Sequence, residues 1–231
     1  MSPGTLYIVA TPIGNLEDIS ARALRILSNV DLIAAEDTRK TKILLNHYNI
    51  TNHLVSYHNY NERERSSELL EKLQGGFSIA VVSDAGTPGI SDPAYRIVKD
   101  CIDHSIPVVP IPGPSAFLPA LIISGLPLDK FVFEGFLPHK KGRRTRLEVL
   151  ARESHTIVLY ESPHRLLRTL CDLQTHLGDR YIIVARELTK KFEEVLRGKV
   201  SDMIHQLASR SIKGEFVILI SPKNRENGTW E

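Results

Sequence analysis

The stretch Ser83-Asp84-Ala85-Gly86-Thr87-Pro88-Gly89-Ile90-Ser91-Asp92-Pro93 carries the residue types best suited to holding a small polar ligand. Its glycines let backbone amides come close to a bound group, its prolines set the turn, and Asp84 offers a carboxylate. The preceding run, Ser78-Ile79-Ala80-Val81-Val82, reads as a buried parallel strand. In open α/β sheets, ligands sit beyond the carboxyl ends of the strands, where this loop falls. A tight strand-to-helix turn is the competing reading. It suits Asp92, as a cap ahead of Pro93 at the first helical position. Asp84, Ala85, Gly86 and Thr87 are assigned to a ligand.

Other loops leave strand ends with similar polar content: Thr11 to Asn15, Glu36 to Arg39, Pro112 to Ala116, Glu161 to Arg165, and Arg186 to Lys190. Lys140-Lys141-Gly142-Arg143-Arg144-Thr145-Arg146 is the densest basic cluster. It reads either as a solvated helix start or as a contact to nucleic-acid phosphates, since a helix N-terminus ordinarily favours acidic residues. His164-Arg165 and Lys190-Lys191 extend it. The histidines show no HExxH or Cys-rich spacing, so no zinc site is expected. The chain lacks a G-x-S-x-G elbow and a G-x-x-x-x-G-K-[ST] loop, which argues against a serine hydrolase and a Walker NTPase.

The elements that must position these loops follow from hydrophobic periodicity. Leu6–Ala10, Leu32–Ala35, His53–Tyr57, Ser78–Val82 and Pro107–Pro110 read as strands. Helices between them run from about Asp18 to Ser28, through Leu44-Leu45, from about Glu62 to Gln74, and from about Pro93 to His104. Asp18 is the candidate cap of the first. This alternation predicts an α/β domain with a largely parallel sheet over residues 1–127. Gly125 to Lys130 reads as a hinge, followed by a second α/β domain over residues 128–231. There, strands are expected at Phe131–Phe133, Thr156–Tyr160, Tyr181–Ala185, Phe192–Leu196 (antiparallel) and Phe216–Ile220. A loop over Glu134 to Gly142, helices from Arg143, after Arg165 and from Val200, and a loose tail after Ser221-Pro222 complete it.

Composition is permissive. A chain of 231 residues can bury a sizeable core, and its net charge of +2 confines any nucleic-acid contact to a local patch. Two cysteines make no disulfide framework, and no signal peptide is visible, so a cytoplasmic protein is expected. Ser105 to Leu128 is uncharged and long enough to span a bilayer, but its prolines break it, so no membrane span is expected.

Eight motifs in fixed order resemble the ribosomal RNA small subunit methyltransferase I family, of the tetrapyrrole methylase superfamily. They are Leu6–Leu16, Ala34–Arg39, Val82–Pro88, Pro112–Ala116, Phe133–Pro138, Tyr160–Ser162, Ala185–Lys190 and Lys213–Glu215, spanning nearly the whole chain. The resemblance implies two α/β domains with S-adenosyl-L-methionine (SAM) in the cleft between them, and a homodimer. It implies 2′-O-methylation of a cytidine ribose in the decoding region of 16S rRNA, with the rRNA expected to be met within the 30S subunit. By that similarity, Asp84, Ala85, Gly86 and Thr87 line the cofactor, with Pro12, Ser115 and Ala116 beside it. Tyr160, Glu161, Glu187 and Gly214 approach from the second domain. Two departures stand out. The tetrapyrrole branch usually has Gly-Asp-Pro where this chain has Asp84-Ala85-Gly86, which argues against a porphyrin substrate. Many members also carry an extra C-terminal segment, whereas this sequence stops at Glu231.

Under that resemblance the cofactor brings the reactive methyl group and the protein positions donor and acceptor. A ribose hydroxyl is a poor nucleophile, so a carboxylate is expected to take or orient its proton. Glu36, Asp37 and Glu187 are the candidates, and Lys190 would lower the hydroxyl's pKa or hold a phosphate. Arg39, Lys140, Lys141, Arg143, Arg144 and Arg165 are assigned to RNA. An interdomain ion pair is the competing reading for each charged candidate in the loops. A tetrapyrrole acceptor, a modified amino acid on a protein as in diphthamide synthesis, and a catalytically silent RNA-binding protein are the alternative functions.

Overall fold

A computed structural model describes residues 2–223; the expected loose tail lies, from residue 224 onward, outside the described residues. The chain divides into two compact units, Met1–Ser115 and Ala116–Glu231. Both are α/β, in agreement with the expected fold class.

The first unit runs β1 (Leu6–Val9), α1 (Ala21–Asn29), β2 (Leu32–Ala35), α2 (Thr38–His47), β3 (Leu54–Ser56), α3 (Glu62–Gln74), β4 (Ile79–Val82), α4 (Tyr95–Asp103) and β5 (Val108–Ile111). Its strands lie in the order β3-β2-β4-β1-β5, all parallel. Every residue of β2 and β4 is buried, which explains why both read as unbroken apolar runs. Ile33, Ala35, Ala80 and Val82 face Ala23 and Leu27 of α1 and Leu44 and Leu45 of α2. Leu32, Ala34, Ile79 and Val81 face Leu69 and Leu73 of α3 and Ile97 and Cys101 of α4. The helix after β4 therefore covers the opposite face from the helices after its neighbours β1 and β2. Loops that part in this way open a crevice at the carboxyl edge, beside β4. Pro110 lacks an N–H, and its strand β5 stands at the sheet edge where that costs least.

Two caps differ from expectation. Ser20, not Asp18, caps α1, accepting the Ala23 N–H at 3.1 Å. Asp18 instead ends a short 3-10 turn, Leu16–Asp18. Helix α4 starts at Tyr95 rather than Pro93, because the left-handed Ser91 (φ +69°) and the bends after it delay helical geometry.

The second unit runs α5 (Phe117–Ile122), β6 (Phe131–Phe136), α6 (Arg143–Leu150), β7 (Thr156–Glu161), α7 (Leu166–Leu177), β8 (Tyr181–Arg186), β9 (Glu194–Lys199), α8 (Val200–Ala208) and β10 (Phe216–Ile220). The strand order is β6-β7-β10-β8-β9. β6 and β7 are parallel, β10 is antiparallel to β7 and β8, and β9 is antiparallel to β8. Strands β6, β7 and β8 thus end at one edge, where β9 and β10 begin. Leu147, Leu150, Leu166, Leu170, Leu173, Met203 and Leu207 of the three long helices pack on Ile157, Leu159, Ile182, Val184 and Ile218. Helix α5 packs against β7 and β10, so it groups with this unit although the expected division after residue 127 puts it in the first. β6 also outlasts the expected Phe133: a bulge between Phe133 and Gly135, with Gly135 left-handed at φ +69°, carries the strand on to Phe136. Among the described residues, no helix is long and apolar enough to cross a membrane.

Candidate functional site

At the carboxyl edge of the first sheet, the loops after β1, β2, β4 and β5 meet. The Thr11 N–H donates to the Gly86 carbonyl at 2.8 Å, and the Gly86 N–H to the Thr11 carbonyl at 2.9 Å. The Thr11 hydroxyl donates to the Ser83 carbonyl at 3.2 Å. Thr87 Oγ1 donates to the Pro114 carbonyl at 3.0 Å, tying the β4 loop to the β5 loop. At Gly113 the chain runs so close to β1 that an added Cβ would sit 2.9 Å from the Ala10 Cβ. Pro12 is half-buried, Ser115 buried, and Ala116 opens the second unit.

The acidic residues at this edge are already engaged, with one exception. Glu36 Oε2 accepts the Asp84 N–H at 3.1 Å. Asp37 caps α2 through the Arg39 N–H at 2.9 Å and takes the Arg39 guanidinium on both oxygens, at 3.0 and 2.7 Å. The Arg39 side chain and amide hold the Asp37 carboxyl far below the usual carboxylate range, which leaves it a weak base. Lys40 Nζ donates to Asp84 Oδ2 at 2.7 Å. Asp84 Oδ1 is the exception: it is buried, with no hydrogen-bond partner among the described residues. A buried acceptor in this state is costly unless a ligand donor meets it.

In the second unit, the β8 loop meets the start of β10. Lys190 Nζ donates to Glu187 Oε1 at 2.9 Å and to Glu215 Oε2 at 2.8 Å. Glu187 Oε1 also accepts the Glu215 N–H at 3.0 Å, and the Glu187 N–H donates to the Glu215 carbonyl at 3.0 Å. Burial pushes the Glu187 carboxyl up, but the Glu215 amide and Lys190 outweigh it and leave the pKa lowered. Burial likewise pulls Lys190 down, and its hydrogen bonds to Glu215 and Glu187 more than restore it, so its pKa is raised. Gly214 makes this packing possible. It is left-handed (φ +94°), and a Cβ there would lie 2.4 Å from the Glu187 Cγ.

Tyr160, at the end of β7, packs with ring centroids 5.2 Å from Phe133 and 5.6 Å from Phe136. Its hydroxyl accepts the Phe117 N–H at 3.2 Å. Three other expected site residues turn inward. The Glu161 carboxylate is fully buried; it accepts the Ser162 N–H at 2.8 Å and the Thr169 hydroxyl at 2.6 Å, with Arg165 Nε at 3.4 Å. Arg143 is buried too, donating to Asp172 at 2.7 Å, Thr169 at 2.8 Å and the Pro138 carbonyl at 3.2 Å. Arg165 donates to the Leu137 carbonyl at 2.5 Å. Glu161 as a side-chain cofactor contact, and Arg143 and Arg165 as phosphate ligands, are therefore corrected. A carboxylate buried under α7 demands cations and donors, and these residues supply them. Lys140, Lys141 and Arg144 remain exposed, Arg144 pairing with Glu148 at 2.8 Å. Arg143→Ala is expected to cost about 2 kcal/mol of stability, less than opening a fully buried pair because Asp172 is part-exposed. Chemical denaturation checks this, with Arg144→Ala, expected within about 0.5 kcal/mol of the parent, as the control.

The family model for Tetrapyrrole (Corrin/Porphyrin) Methylases matches residues 5–204. The ribosomal RNA small subunit methyltransferase I of Synechocystis sp. is 54% identical over 226 residues, which cover 97% of this chain and 81% of that relative. The protein of the same name from Thermotoga maritima is 50% identical over 220 residues, 95% of this chain and 99% of that one. The chain belongs to the ribosomal RNA small subunit methyltransferase I family. Its fold is that of the wider tetrapyrrole methylases: a uroporphyrin-III C-methyltransferase from Thermus thermophilus, complexed with S-adenyl homocysteine, superposes with a TM-score of 0.66. At 18% identity over 94% of this chain and 97% of that one, this likeness speaks for the fold alone.

Three residues of this family member escape a reading by residue type. Lys40 lies 44 positions from Asp84 and meets it only because β2 pairs with β4. Glu215 stands in a quoted motif, yet its grip on Lys190 needs β10 beside β8. Gly113 is told apart from other loop glycines only by its approach to Ala10.

Proposed function

We propose that this chain transfers a methyl group from SAM to the 2′-hydroxyl of a cytidine ribose in the decoding region of 16S rRNA. The observation that carries this reading is the 54% identity over 97% of the chain to a ribosomal RNA small subunit methyltransferase I. SAM supplies an electrophilic methyl group on a sulfonium. The residues present fit it: the unpartnered Asp84 Oδ1 wants a donor such as an amine or sugar hydroxyl. Pro12, Asp84, Ala85, Gly86, Thr87 and Ser115 are the candidates to hold it in the first unit, and the resemblance adds Ala116, Tyr160 and Gly214 of the second. Glu36 orients the Asp84 amide, and Asp37 orients Arg39 for a phosphate.

Glu187 and Lys190 would prepare the acceptor. Among the described residues, two of the three Lys190 donors go to carboxylates; the third would be offered to the acceptor oxygen as its proton passes to water and the methyl group is transferred to it. Glu187 holds the ammonium in place and keeps the local charge balanced. The exposed Arg39, Lys140, Lys141 and Arg144 are the phosphate contacts of this reading. It further entails a homodimer, acting in the cytoplasm on rRNA within the 30S subunit.

The pH behaviour follows from the two shifts. The lowered pKa of Glu187 makes its contribution present above the unfolded value of about 4.3 and lost as pH falls through the folded one. The raised pKa of Lys190 makes its contribution present below about 10.4 and lost as pH rises through the folded value. Both groups are thus charged between about pH 5 and 10, and kcat should show no inflection from either in that window. An inflection near neutrality that Glu187→Gln abolishes would contradict this.

The reaction itself is tested with labelled SAM, 16S rRNA and 30S particles from cells lacking the gene, and mapping of the labelled nucleotide. Label on one decoding-region ribose is the expected result. Label on no RNA, with SAM still bound, would overturn the rRNA reading.

A further inference from the structure

The turn between β8 and β9 holds backbone that the described catalytic groups do not require. Glu187 (φ +49°) and Thr189 (φ +67°) are both left-handed. For a β-branched residue such a φ is a genuine outlier, because its Cβ substituents crowd the backbone. The turn is held in this shape on several sides. Leu188 is buried between the two residues. The Thr189 N–H donates to Glu193 Oε2 at 2.6 Å, the Lys190 N–H to the Glu187 carbonyl at 3.0 Å, and the Glu193 N–H to the Lys190 carbonyl at 3.1 Å. Glycine or asparagine would occupy position 189 with less strain.

Strain of this kind, held by its surroundings, marks a residue whose side chain is wanted where it is. At Thr189 a second, independent observation points the same way. Its Oγ1 is buried and has no hydrogen-bond partner among the described residues. A threonine hydroxyl ordinarily finds a carbonyl nearby, so a buried one without a partner is kept for a group that arrives later.

We infer that Thr189 is a substrate-positioning residue whose hydroxyl hydrogen-bonds a ribose hydroxyl of the acceptor RNA strand; this rests on the rRNA methyltransferase reading above. The surrounding charge selects that partner. The Glu187 and Glu215 carboxylates already take up the Lys190 ammonium, so this cation has little left to reward a phosphate. A neutral hydroxyl, which both donates and accepts, matches the threonine hydroxyl without a charge penalty.

The test compares Thr189→Val, which keeps the branched shape and deletes only the hydroxyl, with Thr189→Ser. Transfer to 16S rRNA or 30S particles, SAM affinity and thermal melting are measured on each. For Thr189→Val, kcat/KM for RNA should fall about tenfold or more, with SAM affinity within about twofold and melting close to the parent. Thr189→Ser should restore transfer. If Thr189→Val does not fold, Thr189→Gly serves, since it relieves the strain: the same loss of transfer in a protein melting no lower than the parent is expected. Full transfer by either hydroxyl-free variant would overturn the assignment. Weakened SAM binding with unchanged RNA dependence would also overturn it, by moving the hydroxyl to the donor. Failure of the parent protein itself to label any RNA is a separate result, which overturns the rRNA reading and this inference with it.

Discussion

Glu187→Ala is expected to lower kcat for methyl transfer by roughly a hundredfold while leaving SAM affinity within about twofold, the range for misplacing a group that must be positioned on the acceptor. Glu187 Oε1 sits where the Lys190 ammonium and the Glu215 N–H converge, at 2.9 and 3.0 Å. Removing it leaves Lys190, among the described residues, with only the exposed Glu215 carboxylate, so the ammonium can follow that side chain away from the acceptor. Glu187→Gln keeps the contact to the Glu215 N–H but not the charge, and its kcat should fall between the two. Gly214 gives an independent route to the same defect. A Cβ at 214 would stand 2.4 Å from the Glu187 Cγ, on backbone at φ +94°. Gly214→Ala should therefore cost about 1–2 kcal/mol of stability and displace Glu187 as well. Steady-state kinetics, SAM titration and denaturation on the set would decide it. Unchanged turnover in Glu187→Ala would remove this residue from the acceptor machinery.

Asp84→Ala should weaken SAM binding by roughly ten- to a hundredfold, the equivalent of one charge-assisted hydrogen bond of about 1.5–3 kcal/mol. Turnover at saturating SAM should largely persist. The reason is Oδ1, buried and without a partner among the described residues at the carboxyl edge of β4. The Asp84 N–H is held by Glu36 at 3.1 Å and Oδ2 by Lys40 at 2.7 Å, so the side chain is oriented before any ligand arrives. Lys40→Ala makes the control. Its pair with Asp84 is solvent-exposed, with the lysine side chain 61% accessible, so its effect should stay within about threefold. Calorimetric titration reads both variants. Equal SAM affinity in Asp84→Ala and parent would discard the assignment of this carboxylate to the cofactor.

Much of this molecule was legible in its sequence for a plain reason. Buried parallel strands such as Ile79–Val82 need apolar residues on both faces, and the glycines and prolines that end them cannot continue a strand. That determined the strand-and-helix alternation, the loops at the strand ends, and, through eight ordered motifs, the family. Local competition blurred the boundaries: Ser20 outcompeted Asp18 as a cap, and the Gly135 bulge lengthened β6.

Which polar residues remain available for ligands was decided only by the tertiary structure. Arg143 and Arg144 are neighbours in one basic run, yet one is buried against Asp172 and Thr169 and the other lies in solvent. Helical phase against α7, not residue type, separates them. Glu161 ends β7 and Glu187 follows β8 at the same sheet edge, but Glu161 turns into the core while Glu187 meets Lys190 and Glu215. The orphan oxygens of Asp84 and Thr189 have no signature in sequence at all. A hydrogen bond left unmade depends on every neighbour's position, and those positions come from strands and turns that pair residues far apart in the chain.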